Sequence, residues 1–154
     1  IFEIMPEGFH SMEKDIFTKI AQTGDLLGFE FEGYFVDAGT PKSWLESCKT
    51  CFNDNRWDEG KAQNNNWLGL NCNIKNSELN SSFISENCEI INSKISESCI
   101  LSNSKVGSRS ILENSLVGEN VIIGENCNLK NVIVDFNAII PDGWKQSGGK
   151  FPSQ

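Results

Sequence analysis

An aliphatic residue returns every five or six positions through the second half of the chain, from Ile74 to Ile140. An amphipathic helix would repeat its apolar face at three and four residues, and a flat strand would alternate at two. A step of five or six residues is typical of a parallel β-helix, in which each step is a short strand followed by a corner. The residues of this repeat are Ile74, Leu79, Ile84, Ile90, Ile95, Leu101, Val106, Leu112, Val117, Ile123, Leu129, Val134 and Ile140.

Small or modest side chains follow these aliphatic residues, four positions later in the six-residue steps and three positions later in the five-residue steps. An inward position beside a tight corner has room only for such side chains. Three steps make one coil, so the repeat predicts about four coils, and Asn and Gly at the corners tolerate left-handed backbone angles. The small positions are Cys88, Cys99, Ser110, Val121, Cys127 and Ala138, and Ser77, Ser82, Ser93, Ser104, Ser115 and Val132.

Two helices and a bent strand are predicted ahead of the repeats. Ser11 to Thr23 has one apolar face, a serine that can cap its start and a glycine after its end. Residues 27–31 alternate between apolar and polar side chains, which predicts a strand with one buried face. Thr40 and Pro41 are typical of a helix start, and the helix that follows should direct its apolar side chains inward. Those side chains are Trp44, Leu45, Cys48 and Phe52.

The remaining segments are polar and set the expected domain boundaries. An Asn-rich stretch reads as a linker, and the Gly/Ser-rich end reads as a flexible, fraying tail. We therefore expect the end of an α/β domain at 1–52, a linker at 53–67, a β-helix at 68–143 and a tail at 144–154.

Composition narrows the possible partners and compartment. A formal net charge of −8 argues against binding to nucleic acid or to an anionic membrane surface. The sequence has neither an apolar run of spanning length nor a signal peptide. Cys48 and Cys51 form a C-x-x-C in a predicted helix, for which a zinc site is one interpretation. With one His in the chain, free thiols in a reducing cytoplasm are the favoured interpretation.

Three stretches in order carry a resemblance to a known family. They are the run Ser11–Phe17, the run Phe29–Pro41 with its Gly-Tyr-Phe-Val-Asp-Ala-Gly-Thr-Pro segment, and the repeats that follow. Together they resemble the C-terminal part of sugar-1-phosphate nucleotidyltransferases with a left-handed β-helix tail. The nearest subfamilies are mannose-1-phosphate guanylyltransferases and glucose-1-phosphate nucleotidyltransferases. The resemblance implies a mainly β fold: a left-handed parallel β-helix after a small α/β remnant of the nucleotidyltransferase domain.

The resemblance also implies a reaction and a set of site residues. A sugar 1-phosphate attacks the α-phosphorus of a nucleoside triphosphate, pyrophosphate leaves, and carboxylate-held Mg²⁺ neutralises the developing charge. Asp37 matches one of the family's metal-binding carboxylates and is the catalytic and metal candidate. Glu13, Lys14 and Gly39 are the substrate-binding candidates. The alternatives are structural: Asp37 supports the turn before the second helix, and Glu13 and Lys14 form a solvated first helical turn.

The match is incomplete, and this shapes the expected function. The family's Gly-rich phosphate loop and second metal carboxylate should lie upstream, and the chain begins with Ile rather than Met. We therefore expect a fragment, inactive alone, whose β-helix serves homo-oligomerisation or regulation in a cytoplasmic enzyme. One alternative is a β-helix acyltransferase, although that chemistry normally uses a His base and Ile74 to Ile140 contains none. The other is a non-catalytic scaffold or regulatory subunit.

Overall fold

The computed structural model describes residues 1–33, 35–50, 52 and 60–152, which belong to two compact units, Ile1–Phe35 and Val36–Gln154. The first unit contains a 3-10 turn (Phe2–Ile4) and a π-helical segment (Met12–Phe17) that continues as helix α1 (Thr18–Thr23). The backbone N–H of Lys14 donates to the Ser11 hydroxyl, and Gly24 ends α1 with φ of 81°. The predicted helix and its cap are thereby confirmed.

The strand predicted at residues 27–31 is wrong. The described residues between 24 and 41 form no strand, and the side chains of Leu27 and Phe29 are 91% and 90% exposed. Alternation of apolar and polar residues gives a segment one apolar face, but a strand also needs a neighbouring strand for its backbone hydrogen bonds. No described segment supplies that neighbour.

The second helix, α2 (Pro41–Thr50), begins where the sequence predicted. Leu45 on this helix and Phe52 just beyond it are buried, as expected, whereas Trp44 is 39% exposed. Trp44 therefore lies at the edge of the packed face rather than within it. Within the described ranges, no helix combines the length and the apolar character that crossing a bilayer requires.

A β-hairpin replaces the last part of the predicted linker, whose residues 53–59 lie outside the described ranges. Strand β1 (Gly60–Gln63) pairs antiparallel with β2 (Asn66–Gly69). Asn64 and Asn65 connect them with φ of 48° and 59°, the left-handed angles that a two-residue hairpin turn requires. The Asn-rich composition predicts a linker, but two of these asparagines build a tight turn between paired strands.

Fifteen short strands then wind into the predicted left-handed parallel β-helix. The β-helix has three sheets: sheet 1 (β1, β2, β5, β8, β11, β14, β17), sheet 2 (β3, β6, β9, β12, β15) and sheet 3 (β4, β7, β10, β13, β16). The strand bounds are β3 Asn73–Lys75, β4 Glu78–Asn80, β5 Phe83–Ile84, β6 Glu89–Ile91, β7 Lys94–Ser96, β8 Cys99–Ile100, β9 Lys105–Val106, β10 Ile111–Glu113, β11 Leu116–Val117, β12 Ile122–Ile123, β13 Asn128–Lys130, β14 Ile133–Val134, β15 Ile139–Ile140, β16 Lys145–Ser147 and β17 Lys150–Phe151.

The β-helix has five coils rather than four, because sheets 2 and 3 contain five strands each. The extra coil uses residues that we expected to fray. Strand β16 pairs with β13, and β17 pairs with β14. Phe151 packs against the core, and Gly148 at φ of 77° makes the last corner. Backbone pairing to an existing sheet edge orders this segment, although its strand β16 lacks the aliphatic residue that marks the earlier strands.

Buried serines connect the coils at the corners. Along the corner before sheet 1, the N–H of Ser98 donates to the Ser82 hydroxyl at 3.3 Å and that of Ser115 to the Ser98 hydroxyl at 3.0 Å. Each hydroxyl thereby satisfies a buried backbone donor of the next coil. The adjacent turns use left-handed residues, as predicted. These are Asn71, Asn87, Asn103, Asn120 and Asn137 on one corner, Asn76, Asn92, Arg109 and Asn126 on another, and Ser81, Glu97, Asn114 and Asn131 on the third.

Two positions of the predicted repeat are displaced by one residue. Ile100 rather than Leu101 enters the core, and Ser98 rather than Cys99 fills the corner. Cys99 instead pairs in register with Phe83 and belongs to the outward row of sheet 1. After Ile95, the next core residue could be Ile100, five positions later, or Leu101, six positions later. Ile100 pairs in register with Ile84 of the preceding coil, and this stacking selects the five-residue step.

Candidate functional site

Asp37 lies in the loop that leads into α2. Its Oδ1 accepts a hydrogen bond from the backbone N–H of Gly39 at 2.9 Å. A Cβ at position 39 would lie 3.0 Å from that oxygen, so glycine gives the carboxylate room to close this short turn. The structure thus brings Asp37 and Gly39 together in a turn whose side chains are exposed.

A reciprocal cap fixes the start of α2 directly after this turn. The N–H of Ser43 donates to the Thr40 hydroxyl at 3.1 Å, and the N–H of Thr40 donates to the Ser43 hydroxyl at 3.0 Å. Both bonds satisfy donors near the helix start, as a capping box does. The chain direction at Thr40, three residues after Asp37, is therefore defined by the helix.

Helix α2 packs on the outward row of sheet 1. The Sγ atoms of Cys48 and Cys99 are 3.6 Å apart, and the Lys49 Nζ lies 3.7 Å from a carboxylate oxygen of Glu97. A cavity of about 240 Å³ lies beside this contact, and α2 contributes Leu45 to its wall. Because α2 contacts the β-helix, the loop that carries Asp37 is tied to the β-helix through one short helix.

The described residues do not by themselves form a complete magnesium site. They contain no group of three or more His, Cys, Asp or Glu side chains placed to hold a metal. Mg²⁺ is often held by one or two carboxylates together with substrate phosphates and water. The exposed Asp37 fits the role of one carboxylate in such a shared site, and its metal role stays a prediction.

Glu13 and Lys14 lie in the first unit, in the first turn of the π-helical segment. Both side chains are exposed. The side chains that cap this segment are those of Ser11, which accepts the Lys14 N–H at 3.3 Å, and of Asp15, whose Oδ2 accepts the Ser11 N–H at 2.8 Å. The substrate-binding role of Glu13 and Lys14 therefore stays a prediction, beside the structural role of a solvated first turn.

The outward face of sheet 2 changes from charged to apolar along the β-helix, a feature that sequence reasoning missed. In the early coils Lys105 Nζ lies 3.5 Å from a Glu89 carboxylate oxygen. In the last coils Ile122 and Ile139 take the same row, and Ile139 is 68% exposed, with the exposed Phe136 at the corner before it. The sequence feature that could have predicted this apolar surface is the pair of adjacent isoleucines in β12 and in β15. Because side chains alternate between the two faces of a strand, one isoleucine of each pair must point outward.

Comparison with known families gives one match. A family model described as "GlmU-like, C-terminal hexapeptide" matches residues 69–147, which is more than half of the 154 residues. The matched range begins at the last residue of β2 and includes all strands from β3 to β16. No curated protein matches the chain.

Proposed function

The chain belongs to the GlmU-like, C-terminal hexapeptide family, and we propose that it is the C-terminal part of a sugar-1-phosphate nucleotidyltransferase. The complete enzyme would join a sugar 1-phosphate to the nucleotidyl group of an NTP and release pyrophosphate. The family match supports a part of an acetyltransferase or nucleotidyltransferase type of protein. The finer assignment to NDP-sugar synthesis rests on the residues before the β-helix.

The exposed apolar side chains of the first unit carry this proposal. Leu27, Phe29, Phe31 and Phe35 are all exposed, and they are too large and too apolar to be expected in contact with water together. Burying a side chain of this size stabilises a fold by roughly 1.5–3 kcal/mol. We propose that the rest of the nucleotidyltransferase domain covers these side chains in the complete enzyme.

Asp37 would act as one carboxylate of the metal site in that complete domain. The bound Mg²⁺ would neutralise charge that develops on the triphosphate as pyrophosphate leaves. The contribution of this chain's own residues would be to hold the Asp37 carboxylate in position. The hydrogen bond from Gly39 N–H holds one carboxylate oxygen, and the cap of α2 holds the loop that follows. The carboxylate would therefore need little reorganisation when substrate phosphates arrive.

The β-helix would serve self-association in the complete enzyme. The exposed apolar patch formed by Phe136, Ile122 and Ile139 supports this role, since exposed apolar patches mark interaction surfaces. The alternative of acyl transfer by the β-helix has less support. The chain's one histidine, His10, lies in the first unit, where Nδ1 is 2.9 Å from the Gly8 carbonyl oxygen.

The test is pyrophosphate release by the product of the complete reading frame that contains this chain. NTPs and hexose 1-phosphates would be supplied pairwise with Mg²⁺, and acetyl-CoA consumption would be measured in parallel. We expect one pair to give turnover and Asp37→Asn to lower kcat/KM by about 100-fold or more, because a metal carboxylate is lost. Asp25→Asn, an exposed aspartate of the first unit, is the control and should keep full activity.

One outcome contradicts the proposed reaction, and a second contradicts the proposed role of Asp37. If no pair releases pyrophosphate while acetyl-CoA is consumed, the acyltransferase alternative is correct. If pyrophosphate is released and Asp37→Asn is as active as the parent enzyme, the reaction is right and the assignment of Asp37 is wrong.

A further inference from the structure

Two cysteine thiols meet where α2 contacts the β-helix. Cys48 Sγ and Cys99 Sγ are 3.6 Å apart, although the two residues are 51 positions apart in the sequence. Cys99 is fully buried, and Cys48 is partly exposed at the edge of the contact. This contact follows from the register of sheet 1, which places Cys99 on the outward row.

The surroundings hold the two sulfur atoms against each other. Leu45, one turn before Cys48, is buried, and Phe52 is buried one turn after it. Lys49, the residue after Cys48, places its Nζ 3.7 Å from a carboxylate oxygen of Glu97, which lies two residues before Cys99. Backbone pairing of β8 with β5 and β11 fixes the position of Cys99. A disulfide needs specific geometry between two fixed backbones, and these contacts keep both backbones in place.

The two thiols differ in their readiness to react. The hydrogen bond between the two thiols lowers the pKa of Cys48, and the same pairing together with burial raises the pKa of Cys99. The thiolate is the nucleophile in thiol–disulfide exchange. The partly exposed Cys48 is therefore suited to the first attack, and the buried Cys99 to the second.

We propose that Cys48 and Cys99 form a reversible disulfide by exchange with a low-molecular-weight disulfide such as oxidised glutathione. The Cys48 thiolate attacks one glutathione sulfur, the glutathione S–S bond breaks, and one glutathione thiolate leaves and takes up a proton. Cys99 then loses its proton and attacks Cys48 Sγ, and the second glutathione leaves as a thiol. The two cysteines are oxidised, and one glutathione disulfide is reduced to two glutathiones.

The bond would link α2 covalently to sheet 1. It would close a long loop, since the linked residues are 51 positions apart, and a closed loop restricts the unfolded chain. Oxidation would therefore make α2 more resistant to local opening and to cleavage within the helix. The turn with Asp37 and Gly39 lies at the start of the same helix, so its flexibility would fall as well.

The other cysteines supply internal competitors and a control. Cys72 and Cys88 occupy one corner in successive coils, and the interaction between their two thiols lowers the pKa of Cys72 to about 7. In the structure each thiol donates to a backbone carbonyl oxygen, Cys72 to that of Ser85 at 2.9 Å and Cys88 to that of Leu101 at 3.3 Å. Cys51, the other half of the C-x-x-C, lies outside the described residues. Cys127 is buried in a corner stacked on Ser110, so Cys127→Ser is the matched control.

The experiment equilibrates the full chain in glutathione buffers of increasing oxidised fraction, blocks free thiols and maps linked peptides by mass spectrometry. We expect a Cys48–Cys99 cross-link that is reversed by dithiothreitol, persists in Cys51→Ser and Cys127→Ser, and disappears in Cys48→Ser. Tryptic cleavage after Lys49 should slow by about tenfold on oxidation, in line with the stabilisation expected of a disulfide, and this slowing should be absent in Cys48→Ser.

Because Cys99 is buried, Cys99→Ala is the second variant, with its folding checked by circular dichroism. A folded Cys99→Ala that stops at a mixed disulfide of Cys48 with glutathione supports the order of attack. The proposal is overturned if Cys48 links to Cys51, if Cys72 links to Cys88 in its place, or if Cys48 and Cys99 both remain reduced in the most oxidising buffer.

Discussion

Replacing Ser104 by alanine tests whether buried hydroxyls hold successive coils of the β-helix together. Ser104 is fully buried, and its hydroxyl donates to the Gly118 carbonyl oxygen at 2.9 Å. The Ser104 hydroxyl oxygen also accepts a hydrogen bond from the N–H of Val121, in the next coil, at 3.1 Å. Ser104→Ala removes both bonds and leaves the Val121 N–H unpaired in the interior.

The expected loss follows from these two bonds. An unpaired buried donor costs roughly 1–3 kcal/mol, and the neutral hydrogen bond to the carbonyl contributes about 1 kcal/mol. The void is small, because Ala138 occupies the same corner two coils later. We therefore expect Ser104→Ala to lower the free energy of unfolding by about 2–4 kcal/mol. Ser104→Cys should lose less, since Cys88 fills this corner in the preceding coil and donates to a carbonyl oxygen at 3.3 Å.

The assay is urea unfolding followed by far-ultraviolet circular dichroism. Ser147→Ala is the control, because Ser147 belongs to an exposed strand position of β16 and its loss should change stability by less than about 0.5 kcal/mol. Equal stability of Ser104→Ala and Ser147→Ala would refute the reasoning. It would mean that the Val121 N–H finds another partner and that side-chain packing alone joins the coils.

Three further predictions concern the surfaces of the β-helix. Leu45→Ala should destabilise the docked α2 by about 2 kcal/mol or more, measured as faster proteolysis of that helix at unchanged β-sheet circular dichroism. The hydrogen bond from Lys150 holds the pKa of Asp135 below its ordinary value, so its stabilisation is present above the carboxyl range and lost as pH falls through it. Lys150→Met should raise the pKa of Asp135 in an NMR titration and remove that part of the acid sensitivity. Ile139→Glu should weaken self-association in sedimentation experiments, whereas Ile111→Glu, on the exposed row of sheet 3, should not.

The sequence predicts the β-helix well because each coil repeats the same physical demand. In the first four coils the inward strand positions are apolar and the corners hold small or modest side chains, and most turns need a residue that accepts left-handed angles. The error at Ile100 and Leu101 arose where two aliphatic residues satisfy that demand equally. Only the stacking of Ile100 on Ile84 in the neighbouring coil decides between them, and sequence spacing does not contain that information.

Segments outside the repeat were predicted less well because their structure depends on partners. The alternation at Leu27 and Phe29 describes one face of a strand but does not supply a neighbouring strand. Conversely, β16 has weak sequence signals and is still ordered, because β13 offers a complete edge for backbone pairing. At the candidate site, Asp37 likewise shows that the sequence predicts local contacts but not contacts with distant residues. Its turn with Gly39 is local and could be anticipated, whereas a metal site needs ligands that are distant in sequence.

The connection from Asp37 through α2 to the β-helix gives a physical reason why the proposed enzyme would carry a β-helix. Asp37 precedes the cap of α2 by three residues, and the cap fixes the direction of the loop. The helix in turn contacts sheet 1 through Leu45 and Cys48. A site that needs its carboxylate held within a fraction of an ångström requires support from a rigid element. The five coils provide that rigidity, so a change at the contact between α2 and sheet 1 should alter turnover in the complete enzyme even though it touches no substrate.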